Sequence, residues 1–263
     1  MTLDFYKYQG TGNDFVIIDN RTQFFSKNNT NLVNFLCDRK FGIGADGLML
    51  LETPENKGDD FKMVYFNADG NQSSMCGNGG RCLVAFAKFL GIIKDEAQFT
   101  AIDGSHKATI RNGLVSLQMQ DVKAIQQEGK DLFLDTGSPH YIQFTTSLDS
   151  LDVKKQGAAI RYNQKYAQEG TNVNFVEQLS IDEYKVRTYE RGVEDETLSC
   201  GTGVTAVAIA ASASNRAQGE SVKLHTLGGE LSVTFHKDDN GYNEIWLTGP
   251  ATQVFKGEIV CEL

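Results

Sequence analysis

The sequence lacks the apolar and basic stretches that would carry it into or across a membrane. No hydrophobic run in its 263 residues reaches the roughly 20 residues that a bilayer-spanning helix needs. The opening residues Met1–Tyr6 contain neither the basic segment nor the apolar core of a signal peptide. We therefore expect a globular protein of the cytoplasm that has no membrane partner.

Blocks of positive charge are also missing. The formal net charge is -9, and groups such as Arg39-Lys40 and Lys154-Lys155 are pairs that we interpret as solvated surface. Binding to nucleic acid needs clustered cations that contact the phosphates. The sequence therefore argues against a nucleic-acid partner.

The cysteine pattern fits neither a disulfide framework nor a metal site. The chain has five cysteines, an odd number, none in a Cys-x-x-Cys pair, and its four histidines are scattered. Reduced thiols are typical of an intracellular protein with such a count, and structural zinc sites need closely spaced ligands. We expect no metal, and we interpret Cys37 and Cys261 as small buried side chains.

Short apolar runs and turn signals predict strands and hairpins. The Asn112-Gly113 dipeptide between Lys107–Arg111 and Leu114–Met119 is a strong hairpin signal. A second hairpin is expected over Glu230–Leu247, with its turn at 238–241. Two further runs that predict buried strands are Phe15–Asp19 and Lys62–Phe66.

Two apolar segments predict helices in the protein core. The first runs from about Gly77 to Leu90, and the second, from Gly201 to Asn215, contains no charged residue. A helix that is apolar on every side belongs in the middle of a core. Each segment follows an acidic loop that contains glycine and opens on Cys-Gly-polar-Gly.

The shared context of the two cysteine motifs indicates an internal duplication. In both places a strand, an acidic loop, the motif, a buried helix and a hairpin follow one another. We expect two α/β halves, residues 1–120 with Cys76 and residues 121–251 with Cys200. Their boundary would lie near the polar stretch 121–129, and a final strand within residues 252–263 would complete the first half.

A cysteine at the start of a helix has a chemical reason to be reactive. The first N–H groups of a helix have no partner within it and carry the positive end of its dipole. They lower the pKa of a thiol below its ordinary value of about 8.5 and can also bind a carboxylate. Each motif can thus supply a base and an anion clamp. By contrast, Cys82 lies within the first helix and is interpreted as a core residue.

Polar side chains near the two motifs suit a ligand that has both an ammonium and a carboxylate group. Amides, one carboxylate and one guanidinium form the charge-assisted hydrogen bonds that such a zwitterion needs. Each residue alone is typical of a turn or a surface ion pair, so the prediction rests on the set. Its members are Asn13, Asn67, Asn172, Glu190 and Arg191.

Blocks of sequence along nearly the whole chain resemble the diaminopimelate epimerase family. They are Gly12–Phe15, Asn67–Gly70, Cys76–Cys82, Gly137–His140, Thr171–Phe175, and Glu190–Gly192 leading to Cys200–Gly203. The resemblance implies an α/β fold of the α+β type, with two pseudo-symmetric halves that each wrap a curved, mostly antiparallel sheet around a buried helix. It implies interconversion of LL- and meso-2,6-diaminopimelate, on the route to lysine and peptidoglycan, by a homodimer without pyridoxal phosphate or metal.

The resemblance also implies roles for single residues. Cys76 and Cys200 would act as acid and base on opposite sides of the substrate α-carbon, with His140 beside Cys76 and Glu190 beside Cys200. Substrate contacts would come from Asn13, Asn67, Gly77, Asn78, Asn172, Glu190, Arg191, Gly201 and Thr202. Ser138 and Gly47 stand where many members of the family have Asn and Gln.

Other functions share parts of this pattern. A two-cysteine racemase of proline, hydroxyproline or histidine would use the same chemistry, and a panel of substrates would distinguish it. An isomerase of the phenazine-biosynthesis type shares the fold but lacks the paired cysteines. A cysteine hydrolase that pairs Cys76 with His140 would leave Cys200 unexplained. An amino-acid-binding protein without enzyme activity would need the clamp but not the thiols.

Overall fold

The computed structural model describes residues 2–73 and 75–261, and the chain divides into two compact units. Unit one comprises the chain up to Leu117 together with the part from Gly249 onward, and unit two comprises Gln118–Thr248. Both units combine helices with mostly antiparallel strands, as expected from the sequence. In the described part of the chain, no helix is both long and apolar enough to cross a bilayer.

The elements are numbered in chain order. The strands are β1 Thr2–Gly10, β2 Asn13–Asp19, β3 Gly47–Glu52, β4 Phe61–Asn67, β5 Glu96–Ala101, β6 Gly104–Arg111, β7 Leu114–Gln118, β8 Ile125–Glu128, β9 Asp131–Asp135, β10 Pro139–Phe144, β11 Asn172–Ser180, β12 Glu183–Glu190, β13 Asp195–Thr197, β14 Ser221–Thr226, β15 Gly229–Asp238, β16 Gly241–Pro250 and β17 Thr252–Val260. The helices are α1 Thr30–Cys37, α2 Gly77–Phe89, α3 Val153–Arg161 and α4 Gly201–Ala213. The strands and helices predicted above are all present, with ends that differ by a few residues.

Unit one joins antiparallel pairs through two parallel steps. Strand β1 pairs antiparallel with β2 and with β17, and the pairs β3–β4, β5–β6 and β6–β7 are also antiparallel. The pairs β2–β3 and β4–β5 are parallel. Parallel neighbours need a crossover connection, and α1 and α2 lie in these two connections.

Unit two repeats this order of pairings. The pairs β8–β9, β9–β10, β11–β12, β14–β15 and β15–β16 are antiparallel, whereas β10–β11 and β12–β14 are parallel. Helices α3 and α4 lie in the two parallel connections, and the short strand β13 is added beside β12. Strand β8 has the place in unit two that β17 has in unit one. The duplication expected from the two cysteine motifs is therefore present in the fold.

The two central helices differ in how completely they are buried. In α4 every residue from Gly203 to Ser212 is buried, as the lack of charge predicted. In α2 the last turn exposes Lys88 and Phe89, and the guanidinium of Arg81 is wholly buried. The expectation that the first helix is apolar on every side is therefore wrong, because this helix ends at the surface and carries the buried, charged side chain of Arg81 near its start.

The predicted hairpin turns and buried cysteines are confirmed. Asn112 and Gly113 have φ values of 52° and 79°, as a two-residue turn between twisted strands requires. The second hairpin joins β15 to β16, with Asp238 paired to Gly241 across the turn. Cys37 and Cys261 are both buried at 3% exposure.

Candidate active site

Cys76 and Cys200 are the N-cap residues of α2 and α4. Both have extended backbone, with φ values of -104° and -124°. Each carbonyl accepts the first hydrogen bond of its helix, from Gly80 N at 2.7 Å and from Val204 N at 3.0 Å. The two thiols therefore lie where the helix N–H groups and dipole favour negative charge.

In unit one, the side chain of Cys76 contacts the amide of Asn13, which in turn contacts a second amide. Its Sγ donates a hydrogen bond to Asn13 Oδ1 at 3.6 Å, and Asn78 Nδ2 donates to the same oxygen at 3.4 Å. The amide nitrogen of Asn13 donates to Asp46 Oδ2 at 2.5 Å. Because a carboxylate only accepts hydrogen bonds, Asp46 turns the carbonyl oxygen of Asn13 toward the thiol.

The carboxylate of Asp46, which holds the Asn13 amide, belongs to a network of charged side chains. Arg39 Nη2 lies 2.7 Å from Asp14 Oδ1 and 2.8 Å from Asp46 Oδ1, and Lys7 Nζ lies 2.7 Å from Asp14 Oδ2. Burial raises the pKa of Asp14, but the hydrogen bonds from Arg39 and Lys7 outweigh it and hold this pKa at about 2. Arg39 lies at the surface, as expected from the sequence, with its side chain 59% exposed, and its guanidinium also joins two carboxylates.

Arg81 is a site residue that the sequence did not point to. Its Nη2 donates to Asn78 Oδ1 at 3.0 Å and to Thr11 Oγ1 at 3.3 Å, and its Nη1 donates to Gly77 O at 3.2 Å. Burial lowers the pKa of this guanidinium. Arg81 thereby fixes the side chain of Asn78. A lone arginine one turn after Cys76 in an apolar helix was the available signal, because unpaired arginine is rarely buried.

In unit two, the side chain of Cys200 contacts a hydroxyl that also contacts a histidine. Thr202 Oγ1 lies 3.5 Å from Cys200 Sγ and 2.9 Å from His140 Nε2. His140 is completely buried. Burial, reinforced by the positive charge of Arg191, lowers the pKa of His140 from 6.5 to about 3, so its imidazole is neutral near pH 7.

Two further polar residues continue from His140 into the core. Asn174 Nδ2 lies 3.0 Å from His140 Nδ1, and Thr188 Oγ1 donates to Asn174 Oδ1 at 2.9 Å. The sequence reasoning assigned neither residue to the site. Strand alternation could have found both, since Asn174 lies two residues after Asn172 and Thr188 two before Glu190, on the same strand faces.

A second cluster of unit two contains the guanidinium of the predicted set. Asn172 Nδ2 donates to Ser138 Oγ at 2.9 Å, and Asn172 Oδ1 accepts from the backbone N–H of Arg191 at 2.9 Å. Arg191 Nη2 donates to Ser138 Oγ at 3.3 Å. The adjacent Glu190 accepts a hydrogen bond from Thr197 Oγ1 at 2.9 Å. A guanidinium, an amide and a hydroxyl together can hold a carboxylate group.

Asn67 lies at the exposed end of β4, where it pairs with Gly47 of β3. A Cβ at Gly47 would lie 2.5 Å from Phe66 O and 2.6 Å from Tyr65 Cε2. Position 47 therefore has no room for a side chain unless both the backbone at Phe66 and the ring of Tyr65 move. This is a steric reason for glycine where the family often has glutamine.

The structure thus brings together Asn13, Cys76 and Asn78 within unit one. Within unit two it brings together His140, Thr202 and Cys200, and separately Asn172 with Arg191. The resemblance implied that His140 lies beside Cys76, whereas its ring contacts Thr202, which contacts Cys200. In residues 2–73 and 75–261, no three or more His, Cys, Asp or Glu side chains are grouped so that they could hold a metal ion.

Comparisons with known proteins identify one family along the chain. The family model described as diaminopimelate epimerase matches residues 5–125 and 132–254. A diaminopimelate epimerase of Flavobacterium psychrophilum is 56% identical over 97% of this chain and 99% of its own. That of Aquifex aeolicus is 39% identical, over 98% of both chains.

Two solved structures share this fold. A phenazine biosynthesis protein of the PhzF family from Bacillus anthracis has a TM-score of 0.78 at 12% identity, covering 99% of this chain and 100% of its own. A hydroxyproline epimerase from Agrobacterium vitis, with bound trans-4-hydroxy-L-proline, has a TM-score of 0.66 at 14% identity, covering 98% and 92%. At these identities the likeness concerns the fold alone.

Proposed function

The chain belongs to the diaminopimelate epimerase family, and from that premise we propose that Cys76 and Cys200 are the two bases of its reaction. The protein is an isomerase of lysine biosynthesis that interconverts LL- and meso-2,6-diaminopimelate. The observation that carries the proposal is the duplicated placement of one thiol at the N-cap of α2 and another at the N-cap of α4.

The proposed reaction is a pair of proton transfers at one carbon. The thiolate of one cysteine removes the α-proton, and the thiol of the other delivers its own proton to the opposite face of that carbon. The first sulfur ends as a thiol and the second as a thiolate, so the configuration inverts without net transfer of electrons. The two sulfurs then exchange roles for the reverse reaction.

The chief difficulty is the low acidity of the α-proton. Its removal places negative charge on the substrate carboxylate, where fixed N–H donors stabilise charge most effectively in a water-poor site. We propose that the N–H groups at Gly77-Asn78 and Gly201-Thr202 are these donors. Their position in the first turns of α2 and α4 supports this assignment.

The remaining polar residues would bind and orient the substrate. Asn172 and Arg191 are proposed to bind a carboxylate, and their shared contacts with Ser138 support that pairing. Asn13 and Asn67 are proposed to contact the other polar groups of the substrate. Glu190 would bind the ammonium group and, with His140, would set the protonation of the cysteines.

Deuterium incorporation from D2O at the α-carbon tests this proposal directly. LL- and meso-diaminopimelate incubated in D2O should each gain deuterium at that carbon, as followed by NMR. Cys76→Ala and Cys200→Ala should each abolish epimerisation. Near-normal turnover in either variant would refute the two-base mechanism.

Cys82→Ala is the matched control. Its thiol is fully buried inside α2, and this burial raises its pKa to about 12, so it holds no thiolate near neutral pH. That variant should keep its activity. Turnover of proline, hydroxyproline or histidine in preference to diaminopimelate would point instead to another two-cysteine racemase.

We also propose that the enzyme is a cytoplasmic homodimer. The odd number of cysteines is typical of a reducing compartment. On β17, Val254 and Val260 are 55% and 77% exposed, and exposed apolar groups favour protein contacts. Light scattering coupled to gel filtration should give twice the chain mass of 29.0 kDa, and a monomer mass at micromolar concentration would contradict the proposed dimer.

A further inference from the structure

The two units place different side chains at equivalent positions of their sheets. On β3, Phe15 pairs with Gly47, two residues before Met49. On β11, His140 pairs with Asn172, two residues before Asn174. Met49 then pairs with Tyr65, as Asn174 pairs with Thr188. The apolar and aromatic set Phe15, Met49 and Tyr65 in unit one therefore corresponds to the polar set His140, Asn174 and Thr188 in unit two.

Each set packs against the first turn of its central helix. A Cβ at Gly79 in α2 would lie 1.9 Å from Met49 Cε, whereas a Cβ at Gly203 in α4 would lie 2.6 Å from Asn174 Oδ1. The start of α4 thus rests on hydrogen-bonding groups, and the start of α2 rests on a thioether. The backbone of the two units is therefore alike at these positions, but the side chains beneath the two cysteines differ in chemistry.

The orientation of the Asn174 amide is fixed by its surroundings. Its Nδ2 donates to the backbone carbonyl of Tyr141 at 3.3 Å, and a carbonyl can only accept. Its Oδ1 accepts from Thr188 Oγ1. A flipped amide would set two carbonyl oxygens against each other, so it is the amide nitrogen that faces His140 Nδ1.

This orientation fixes the tautomer of His140. Because Nδ1 of His140 accepts from Asn174, the single proton of the neutral imidazole lies on Nε2, which donates to Thr202 Oγ1. A hydroxyl that accepts this bond directs its own proton elsewhere, and Cys200 Sγ lies 3.5 Å away. Either atom of this pair could be the donor, and we infer that Thr202 donates, because its oxygen already accepts from His140. Accepting a hydrogen bond favours a thiolate over a thiol.

We propose that Asn174 is a positioning residue that, through His140 and Thr202, makes Cys200 the thiolate of the resting enzyme. This proposal rests on the proposed function, because it assigns one of the two bases. The charge that acts on the imidazole is that of Arg191, which follows β12, and Glu190 precedes it as the last residue of that strand. Arg191 opposes protonation of His140 and so preserves the tautomer.

The contacts of Cys76 favour the opposite state. Asp46 holds the amide nitrogen of Asn13, so Asn13 Oδ1 faces Cys76 as an acceptor. An acceptor stabilises the neutral S–H, which can donate to it. One thiol and one thiolate are what a two-base epimerase needs before its substrate binds.

Residue-resolved alkylation tests the proposal on the whole enzyme without substrate. Iodoacetamide is applied over a range of pH, and peptide mass spectrometry gives the rate at each cysteine. Cys200 should reach half its maximal rate at a lower pH than Cys76. Thr202→Val and Asn174→Leu should each raise the midpoint for Cys200 by about one pH unit, a tenfold change in thiolate fraction near neutral pH, and leave Cys76 unmoved.

Three controls separate this chain of contacts from a general loss of structure. Thr202→Ser retains the hydroxyl and should keep the wild-type midpoint for Cys200. Thr205→Val removes a buried hydroxyl of the same helix that donates to Gly201 O at 2.9 Å, and it should leave the Cys200 midpoint and the activity unchanged. Cys82 should stay unlabelled wherever the fold persists, since it is fully buried.

The outcomes distinguish this proposal from the proposed function. A lower midpoint for Cys76, or an unmoved Cys200 midpoint in both Thr202→Val and Asn174→Leu, would overturn the assignment even in a protein that epimerises diaminopimelate. Shifts as expected in a protein without epimerase activity would support the assignment and refute only the proposed function.

Discussion

At the scale of single residues, Glu190 offers a test in which charge changes and shape does not. We expect Glu190→Gln to lower the turnover number by roughly 100-fold, the size of a general acid–base contribution. The Michaelis constant should rise less, because binding loses one charge-assisted hydrogen bond, about 1.5–3 kcal/mol. Steady-state kinetics in both directions measure the two effects. Rates within a few-fold of wild type would reduce Glu190 to a partner of Thr197.

Glu183→Gln is the control for that substitution. Glu183 lies at the other end of β12, where its carboxylate contacts His225 and Lys223 near the surface. Its loss should leave kinetics unchanged. The loop residue Glu194 is unsuitable as a control, since it accepts from Tyr189 Oη at 3.0 Å and lies 3.4 Å from Arg161 Nε.

His140 should make the fold sensitive to acid. Burial, helped by the charge of Arg191, lowers its pKa from 6.5 to about 3. Between these values the unfolded chain binds a proton that the folded chain does not. The free energy of unfolding should therefore fall as pH falls from 6.5, by up to about 1.4 kcal/mol per pH unit.

Urea unfolding of His140→Gln at pH 7.5 and 5.5 measures this contribution. The variant should lose less stability between the two pH values than wild type does. The exposed residue His236, replaced by Gln, should behave as wild type does. Equal pH dependence in His140→Gln and wild type would show that the buried imidazole is not the cause.

The positions of Cys76 and Cys200 at helix starts could be predicted from the sequence because they depend on local residues. A cysteine followed by glycines at the start of an apolar run specifies a helix N-cap without reference to the rest of the chain. Asn174 and Thr188 could not be assigned in this way. Their importance depends on a strand register, Asn174 opposite Thr188 and beside His140, that sequence alone does not give.

At the scale of elements, α3 packs so closely on β12 that one methyl group should disturb it. A Cβ at Gly157 would lie 2.3 Å from Tyr189 Cβ, an atom next to the backbone that cannot turn aside. We expect Gly157→Ala to lower the free energy of unfolding by about 1–3 kcal/mol, although alanine favours a helix. Urea unfolding measures the loss.

The neighbouring Gln156→Ala is the matched control, because Gln156 is exposed on the same helix. It should unfold at the wild-type urea concentration or slightly above it. If Gly157→Ala were as stable as Gln156→Ala, α3 would not be held against β12 as the structure has it. The sequence could not predict this contact, since Gly157 within a polar helix has no local signature of burial.

At the scale of the whole molecule, the chemistry should run on thiols alone. We expect exhaustive dialysis against EDTA and addition of pyridoxal phosphate to leave the epimerisation rate unchanged. The physical reason is that, in the proposed mechanism, two sulfurs and the helix N–H groups provide both the proton transfers and the charge stabilisation. Loss of activity on dialysis, with recovery on adding one metal, would contradict this.

The order of strands has a consequence for synthesis on the ribosome. Unit two is one continuous stretch, Gln118–Thr248, so its edge strand β8 is made before the rest of that unit. The matching edge strand of unit one, β17, is made after the whole of unit two, although its partner β1 is made first. A growing chain must therefore keep the free edge of β1 from pairing with other chains until more than two hundred intervening residues have emerged, and exposed strand edges promote aggregation. Nascent chains halted before Thr252 should accordingly depend more on chaperones than chains halted after Val260.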